Sequence, residues 1–249
     1  MDIKQCTALV TGGNRGIGEA FVKVLLEQGA KKVYIGARTK TDAEPLQQSN
    51  ADRLDIVQLD VTRQIDIDAA VEQCKDVNLL INNAGVFAHQ SLLNAPDMDA
   101  MRQEMDVNCF GMIAMTRAFT PIIESLGEGA VINVLSAGGI VSVPEMGGYS
   151  PSKFAARAAS NCLRAELAPR NIHVCSLIVG SVKTRMAEHV KGILQADPID
   201  IAKAGLMALS QGLDEHDTDP HAIGIRAALA RDPAALAARL AAGVGAFRK

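Results

Sequence analysis

The sequence predicts an α/β fold, in which one domain over residues 1–249 holds a doubly wound parallel sheet with helices on both faces. Three observations predict it. Short apolar runs of strand length alternate with amphipathic helical stretches throughout the chain. A glycine-rich turn joins the first run to a helix, and polar residues follow several of the later runs. No internal repeat or linker-like stretch divides the 249 residues into separate domains.

Composition excludes several classes of partner. The net charge of −3 gives no reason to expect a nucleic acid or an anionic membrane surface. No apolar run reaches the roughly 18 residues of a membrane span, and the N-terminus lacks the layout of a signal peptide. The five cysteines have no C-x-x-C spacing and the five histidines form no paired motif. We therefore predict reduced thiols, a cytoplasmic location and no metal site.

The first 36 residues read as a βαβ unit with a glycine-rich turn. A strand is predicted over 6–11, a helix from the turn to about Gln28, and a second strand over 32–36. The turn holds Gly12, Gly16 and Gly18, which let the backbone approach a pyrophosphate at the N-terminus of the helix. An ordinary tight turn is the alternative. Its place between strand and helix favours a dinucleotide site of the Rossmann type.

Polar residues mark the ends of later strands. Strands predicted over 55–60, 77–81 and 130–135 lead to Asp60, to Asn82-Asn83-Ala84-Gly85 and to Ser136. A sixth strand over 173–178 is followed by Gly180 and Ser181. The carboxyl ends of parallel strands are where such sheets bind ligands. For residues 82–85, an Asn-rich turn that satisfies its own backbone is the alternative.

The remaining segments read as helices and loops. One long helix over 98–125 is predicted to be irregular near Asn108, because Asn and Gly inside a helix cost roughly 0.5–1 kcal/mol each. Residues 183–197 follow a strand end without periodicity and are predicted to be a mobile substrate lid. Helices are predicted to begin at Asp197-Pro198 and Asp219-Pro220, with a break at Asp232-Pro233.

Tyr149 and Lys153 lie four residues apart at the start of a predicted helix. Residues at this spacing share a helix face, so the ring and the ammonium group can converge. A cation about 4 Å from the phenol would favour phenolate by roughly 4 kcal/mol, or about 3 pKa units. We therefore expect the pKa of Tyr149 to be lowered and Tyr149 to act as an acid or base. A chance surface pair is the alternative.

The glycine turn, residues 82–85, Asn108, Ser136 and Tyr149 with Lys153 occur in an order that resembles the short-chain dehydrogenase/reductase superfamily. The resemblance covers roughly residues 5–210 and implies a carbonyl reductase, or alcohol dehydrogenase in reverse. It implies that Tyr149 transfers the proton, Lys153 lowers its pKa and holds the ribose, and Ser136 binds the substrate oxygen. It also implies that Asn108 holds a water linking Lys153 to solvent. A strand-end cap for Ser136 and a buried hydrogen bond for Asn108 are the alternatives.

The expected cofactor is NADP(H), because the second strand ends at Gly36-Ala37-Arg38 without the acid that binds a ribose 2′-hydroxyl. Arg38 and Arg15 suit a 2′-phosphate instead, with ordinary surface charge as the alternative. The glycine turn, the arginines and the family resemblance together imply the residues that contact the cofactor, namely Gly12, Asn14, Arg15, Gly16, Ile17, Gly18, Arg38, Asp60, Val61, Asn83, Ala84, Gly85, Tyr149, Lys153, Val182 and Thr184. Of these, Asp60, Val61, Asn83, Ala84, Gly85, Val182 and Thr184 are implied by the resemblance alone.

The substrate is expected to be a neutral hydrophobic ketone, aldehyde or secondary alcohol. Apolar residues are predicted to line its pocket with little charge, namely Ile140, Val141, Val143, Met146 and Val179, beside the lid near Met186. The resemblance further implies a homo-oligomer, dimer or tetramer, paired through helices around 100–120 and 150–167. The alternative is that the alanines of the second helix pack only on their own sheet.

Two departures from the family pattern concern the C-terminal side of the pocket. Val179 stands where the family usually has proline, which is predicted to loosen the start of the lid or to reshape the pocket. Residues 212–249 read as an acidic loop and an Ala-rich helix, without the family's closing strand. A non-catalytic NADP(H)-binding sensor is the alternative function, although such a protein would not need the Ser, Tyr and Lys together.

Overall fold

Seven parallel strands form one sheet, in the order β3-β2-β1-β4-β5-β6-β7. The computed structural model describes residues 1–48, 50–188 and 194–242. The strands are β1 Thr7–Thr11, β2 Lys32–Ala37, β3 Leu54–Gln58, β4 Leu79–Asn82, β5 Gly129–Val134, β6 Ile172–Ile178 and β7 Glu215–Asp217. The strand order reverses between β1 and β4, where open α/β sheets place their ligands. The predicted doubly wound sheet is confirmed.

Helices cover both faces of this sheet. They are α1 Gly16–Glu27, α2 Glu44–Gln48, α3 Gln64–Gln73, α4 Asp99–Met105, α5 Met112–Ser125, α6 Tyr149–Leu167, α7 Pro198–Ser210, α8 Pro220–Arg231 and α9 Pro233–Ala242. Alternate strand residues enter two cores: Val10 packs with Phe21 of α1, whereas Leu9 packs with Phe119 of α5. Within the described residues, no helix has both the length and the apolar character needed to cross a bilayer.

The predicted caps position the C-terminal helices. Asp197 accepts a hydrogen bond from the N–H of Ile199 at the start of α7. Asp219 accepts from the N–H groups of His221 and Ala222 at the start of α8. The expected break between α8 and α9 falls at Asp232-Pro233. Each aspartate satisfies donors that have no partner inside a helix, which explains why the helices begin there.

The irregularity predicted near Asn108 is a π-helical turn, Asp106–Gly111, between α4 and α5. A side chain on Gly111 would approach Val61 Cγ2 within 2.7 Å, so the turn lies directly against the segment that follows β3. Asn108 is buried within the turn. Such single-turn π segments often mark functional positions in helices.

The expectation that the C-terminal segment lacks a strand is wrong. Strand β7 pairs with β6, joining Glu215 to Ser176 and Asp217 to Ile178. Arg157 binds both carboxylate oxygens of Glu215 at 2.7 and 3.0 Å, and Arg226 donates to both Glu215 and Asp217. These arginines neutralise the two carboxylates of β7. Apolar and polar residues do not alternate along this strand, so hydrophobic periodicity could not predict it.

Part of the predicted lid lies outside the described residues, namely 189–193. The base of the segment is fixed, because Val182 forms an isolated parallel bridge with Ala196 and the N–H of Lys183 donates to the carbonyl of Ala196 at 3.0 Å. A short 3₁₀ turn, Arg185–Ala187, follows on the N-terminal side. Mobility of the lid remains a prediction, and residues 243–249 of the C-terminal segment also lie outside the described part.

Candidate active site

A cleft of about 2010 Å³ opens at the carboxyl ends of β1, β2, β4, β5 and β6. Most of the predicted site residues line it: Gly12, Asn14, Arg15, Gly16, Ile17, Arg38, Asp60, Val61, Asn83, Ala84, Gly85, Ser136, Tyr149, Lys153, Val182 and Thr184. Gly18 and Asn108 lie behind its wall. Among the described residues, no group of three or more His, Cys, Asp or Glu side chains is placed to hold a metal ion.

The glycine turn brings backbone close to the cleft at the start of α1. Gly12 and Gly16 have positive φ angles of 63° and 57°, which side-chain-bearing residues rarely adopt. A Cβ on Gly18 would overlap the carbonyl oxygen of Gly12, so α1 begins pressed against the turn. The N-terminus of α1 lines the cleft, and because the first N–H groups of a helix have no partner within the helix, it suits a phosphate.

Asn83 has a structural contact that the sequence did not indicate. Its Nδ2 donates to the carbonyls of Thr11 at 2.9 Å and Gly12 at 3.2 Å, and so ties the end of β4 to the glycine turn. The hydroxyl of Thr11 in turn accepts from the N–H groups of Asn83 and Ala84, at 3.0 Å each. The amide of Asn83 thus holds the shape of the cleft floor, and its neighbours Ala84 and Gly85 are left to line the cleft.

The far end of the cleft, beyond β2 and β3, holds two arginines as well as Asp42 and Asp60. Arg15 and Arg38 are exposed and line it, and no acid stands at the end of β2. Burial works against the charge on Asp60, but hydrogen bonds from Thr62 and the charges of Arg38 and Arg63 outweigh burial and lower its pKa. Asp60 therefore stays ionised at neutral pH in a turn, two residues beyond the end of β3.

Ser136, Tyr149 and Lys153 converge at the middle of the cleft. Ser136 follows β5, and its Oγ accepts from the N–H of Gly138 at 3.0 Å. Tyr149 begins α6, and its ring packs on that of Phe87 with centroids 5.0 Å apart. Lys153 lies one turn later, where its Nζ donates to the carbonyl of Val134 at 3.0 Å. A hydroxyl, a phenol and an amine are thus available at one place.

The prediction that Lys153 lowers the pKa of Tyr149 is wrong for the protein without a bound cofactor. Lys153 Nζ is 5.8 Å from the centroid of the Tyr149 ring and binds a carbonyl instead. Burial raises the pKa of Tyr149, the negative charge of Glu104 adds to this, and a hydrogen bond with Ser136 only partly opposes it. Burial also lowers the pKa of Lys153 to about 8.

The side chain of Asn108 forms three hydrogen bonds with described residues, and the one to Ser152 is fully buried. Its Oδ1 accepts from the N–H of Val86 at 2.8 Å, and its Nδ2 donates to the carbonyl of Val86 and to Ser152 Oγ, at 3.0 Å each. These bonds connect the π-helical turn to the segment after β4 and to the residue preceding Lys153. The side chain therefore matches the alternative of a buried hydrogen bond. A water that links Lys153 to solvent would have to bind the main chain of Asn108.

Glu104 is a buried acid near the site that the sequence analysis missed. It is 2% exposed, and its Oε1 accepts from the N–H of Ala88 at 2.8 Å. Burial raises its pKa, against hydrogen bonds from the N–H groups of Ala88 and Gly148. The carboxylate thereby joins the segment after β4 to the start of α6, beside Tyr149. Its position four residues before Asn108, on the same helix face, was the available signal.

The substrate side of the cleft is more polar than predicted. Val141, Val143, Met146, Val179 and Met186 line it as expected. Ile140 does not line it, because its side chain belongs to a buried cluster with Leu135 and Ala156. Charged or polar side chains also reach this region, namely Glu145, Lys183, Arg185, Glu188, His221 and Arg239.

The turn after β6 is held by the C-terminal segment. Asp219 Oδ2 accepts from the N–H of Gly180 at 2.7 Å, and His221 Nδ1 accepts from the N–H of Ser181 at 3.1 Å. A Cβ on Gly180 would overlap the carboxylate of Asp219, so the turn and the cap of α8 touch directly. These two bonds hold the two residues after Val179, and the loosening or reshaping predicted from Val179 in place of proline stays a prediction.

Comparison with known proteins agrees with this geometry. The family model described as short chain dehydrogenase matches residues 6–192. An uncharacterized oxidoreductase from Staphylococcus saprophyticus is 34% identical over 196 residues, which cover 76% of this chain and 79% of that protein. A 3-alpha-(or 20-beta)-hydroxysteroid dehydrogenase from Mycobacterium tuberculosis is 31% identical over 206 residues, covering 78% of each chain.

A solved structure resembles this fold over nearly its whole length. It is the crystal structure of a short chain dehydrogenase from Burkholderia cenocepacia in complex with NADP. Its TM-score is 0.90 and its sequence identity is 41%, and the match covers 96% of this chain and 99% of that chain.

Proposed function

This chain belongs to the short-chain dehydrogenase family of oxidoreductases, and on that premise we propose that it reduces neutral, mainly hydrophobic ketones or aldehydes with NADPH and oxidises the matching secondary alcohols in reverse. The observation that carries the proposal is the convergence of Ser136, Tyr149 and Lys153 in one cleft, beside a glycine turn at a helix N-terminus. A non-catalytic sensor would have no use for these three groups together.

The residues present fit NADP(H). The glycine turn leaves space and N–H donors for a pyrophosphate, and the end of β2 offers no carboxylate to repel a 2′-phosphate. Arg15 and Arg38 line the same end of the cleft, where guanidinium groups suit a phosphate. The NADP in the Burkholderia cenocepacia structure supports this choice of cofactor. When bound, the nicotinamide supplies or accepts the hydride.

Tyr149 gives the proton to the carbonyl oxygen in the direction of reduction. Its raised pKa keeps the phenol protonated at neutral pH, which is the form that a proton donor needs. Ser136 donates a hydrogen bond to the same oxygen as negative charge develops there. Lys153, with a pKa of about 8, can release and regain a proton near neutral pH, and it lies one helical turn from Tyr149.

Asn108 and Glu104 position these groups without touching the substrate. Asn108 fixes Ser152, the residue before Lys153, and Glu104 fixes Gly148, the residue before Tyr149. Each therefore holds the first turn of α6 in place from the side of α4 and the π-helical turn. A placed acid–base pair needs such support because small displacements of reacting groups slow a reaction strongly.

Apolar lining residues and the relatives support a hydrophobic substrate. Val141, Val143 and Met146 line the cleft beyond Ser136 and Tyr149. The Mycobacterium tuberculosis relative is named for hydroxysteroids, and a Bacteroides thetaiotaomicron relative, 32% identical over 185 residues, is a 3-ketodihydrosphingosine reductase.

The free cysteines, four of the five buried, support the cytoplasm as the compartment.

A homo-oligomer is part of the proposal. Phe110, 56% exposed, and Phe154, 38% exposed, lie on the π-helical turn and α6, within the two helical regions expected to pair across a two-fold axis. The two exposed rings support this choice of faces because contact with a second copy would remove their apolar surface from water.

Turnover tests the function. A panel of ketones, aldehydes and secondary alcohols is followed at the nicotinamide absorbance with both NADPH and NADH. Tyr149→Phe removes one hydroxyl and should lower kcat by about 10²- to 10⁴-fold while leaving NADPH binding nearly unchanged. Retention of more than a tenth of the activity would refute the role of Tyr149. NADPH binding without oxidation by any carbonyl would favour the sensor instead.

A further inference from the structure

His221 lies in the cleft with one ring nitrogen already committed. Its Nδ1 accepts from the N–H of Ser181 at 3.1 Å, and the cap of α8 by Asp219 fixes the backbone of His221 itself. A nitrogen that accepts a hydrogen bond carries no proton, so a neutral ring must carry its proton on Nε2. The fold thereby selects one tautomer of this histidine.

The protonated nitrogen is free to bind a ligand. Among the residues that the structure describes, none accepts a hydrogen bond from Nε2 of His221. The buried polar atoms without a partner do not include Nε2, so this atom is accessible at the surface of the cleft. The side chain lines the cleft together with Val179, Met186 and Ile225, which are apolar. Charged side chains, among them Lys183, Arg185 and Arg239, also line this side of the cleft, but His221 is the donor whose ring the backbone N–H of Ser181 holds in one tautomer.

We infer that the Nε2–H of His221 is a specificity-determining donor, and that the preferred substrates are ketones carrying a second oxygen acceptor, such as an ester carbonyl, at a distance from the reacting carbonyl. The inference rests on the proposed function and narrows its substrate class. A donor that the fold holds in one position discriminates between substrates, because it is left unpaired when the acceptor is missing. Ser136 and Tyr149 serve the reacting carbonyl, so His221 serves the second group.

Matched ketones measure this preference. Ethyl levulinate and 2-octanone have the same chain length, as do ethyl acetoacetate and 2-heptanone, and only the esters carry the second acceptor. One neutral hydrogen bond corresponds to a roughly 2- to 12-fold change in kcat/KM. We expect the wild type to prefer at least one ester over its matched ketone by a factor in this range, at saturating NADPH.

Two substitutions separate the two nitrogens of His221. His221→Asn keeps an acceptor at the Nδ1 position for Ser181 but lacks the far donor, so the preference should fall to about equal rates. His221→Gln keeps a donor at the Nε2 position and should retain most of the preference. His216→Asn, on β7 and outside the cleft lining, is the matched control and should retain all of it.

The outcomes distinguish this inference from the proposed function. Equal kcat/KM for both members of each pair in the wild type, or full preference in His221→Asn, would overturn the role of His221 and leave the reductase standing. No turnover of any of the four ketones would count against the proposed function itself. Independently of turnover, ¹⁵N–¹H spectra should assign the His221 proton to Nε2, and a protonated Nδ1 would overturn the inference.

Discussion

Replacing Lys153 with methionine should stabilise the cofactor-free protein at pH 7 while removing its activity. Lys153 is only 5% exposed, and burial lowers its pKa from 10.5 to about 8. That difference corresponds to about 3 kcal/mol of unfolding free energy that the charged amine costs the folded state at neutral pH. Methionine has a similar length, carries no charge and preserves the packing of the side chain.

The gain is partly offset at the carbonyl of Val134. This oxygen accepts from Lys153 Nζ at 3.0 Å and would lose that donor, at a cost of about 1 kcal/mol. The net stabilisation at pH 7 is therefore about 2 kcal/mol, or a rise in Tm of roughly 4–8 °C for a chain of this size. Function and stability are in conflict at this residue, as is common in active sites.

The pH dependence has a definite sign. Above pH 8 the folded state releases the Lys153 proton, whereas the unfolded chain keeps it until about pH 10.5. In that window the unfolded state binds more protons, so the wild type gains stability as the pH rises. The advantage of Lys153→Met should therefore shrink from pH 8 upward and be lost by about pH 10.

Urea unfolding of cofactor-free protein at pH 7, 8, 9 and 10 measures this, since bound cofactor would stabilise only the proteins that bind it. Lys203→Met, an exposed position on α7, is the matched control and should change little at any pH. The reasoning would be refuted if Lys153→Met were less stable than the wild type at pH 7, or if their difference did not change between pH 7 and pH 10.

Two further predictions concern the cofactor and the assembly. NADPH should bind more tightly than NADH by a factor of roughly 10² to 10⁴ if Arg15 and Arg38 each contribute about 1.5–3 kcal/mol. The double substitution Ala37→Asp with Arg38→Leu should reverse this cofactor preference. Equal or better use of NADH by the wild type would show the prediction wrong. Light scattering at micromolar concentration should give a mass above that of one chain, and Phe110→Lys with Phe154→Lys should reduce it to the monomer. A monomeric wild type would end the oligomer proposal.

The parts of the fold that the sequence predicted are those set by local patterns. The βαβ unit follows from an apolar run, Gly12 and Gly16 in a turn, and an amphipathic helix with Phe21 inward. The π-helical turn follows from Asn108 and Gly111, which a regular helix disfavours. Caps at Asp197 and Asp219 follow from the preference of helix starts for aspartate before proline.

What the sequence did not predict depends on partners distant along the chain. The pKa of Tyr149 depends on where Lys153 places its amine, and the carbonyl of Val134 decides that. The burial of Glu104 follows from its contact with Ala88 and Gly148 across three segments. The spacing of Glu104 and Asn108 places both on one helix face, but the segments that Glu104 contacts are distant along the chain and leave no periodic signal.

The charged strand β7 determines how copies of this chain can meet. β7 is the last strand of the sheet, so one of its sides has no neighbouring strand. The strand has only three residues, and Arg157 and Arg226 bind its two carboxylates, which makes it a poor template for another strand. Joining two sheets edge to edge there would bring carboxylates of both copies together and strip water from their arginine partners. Strand pairing between copies of the chain is therefore disfavoured at this end of the sheet.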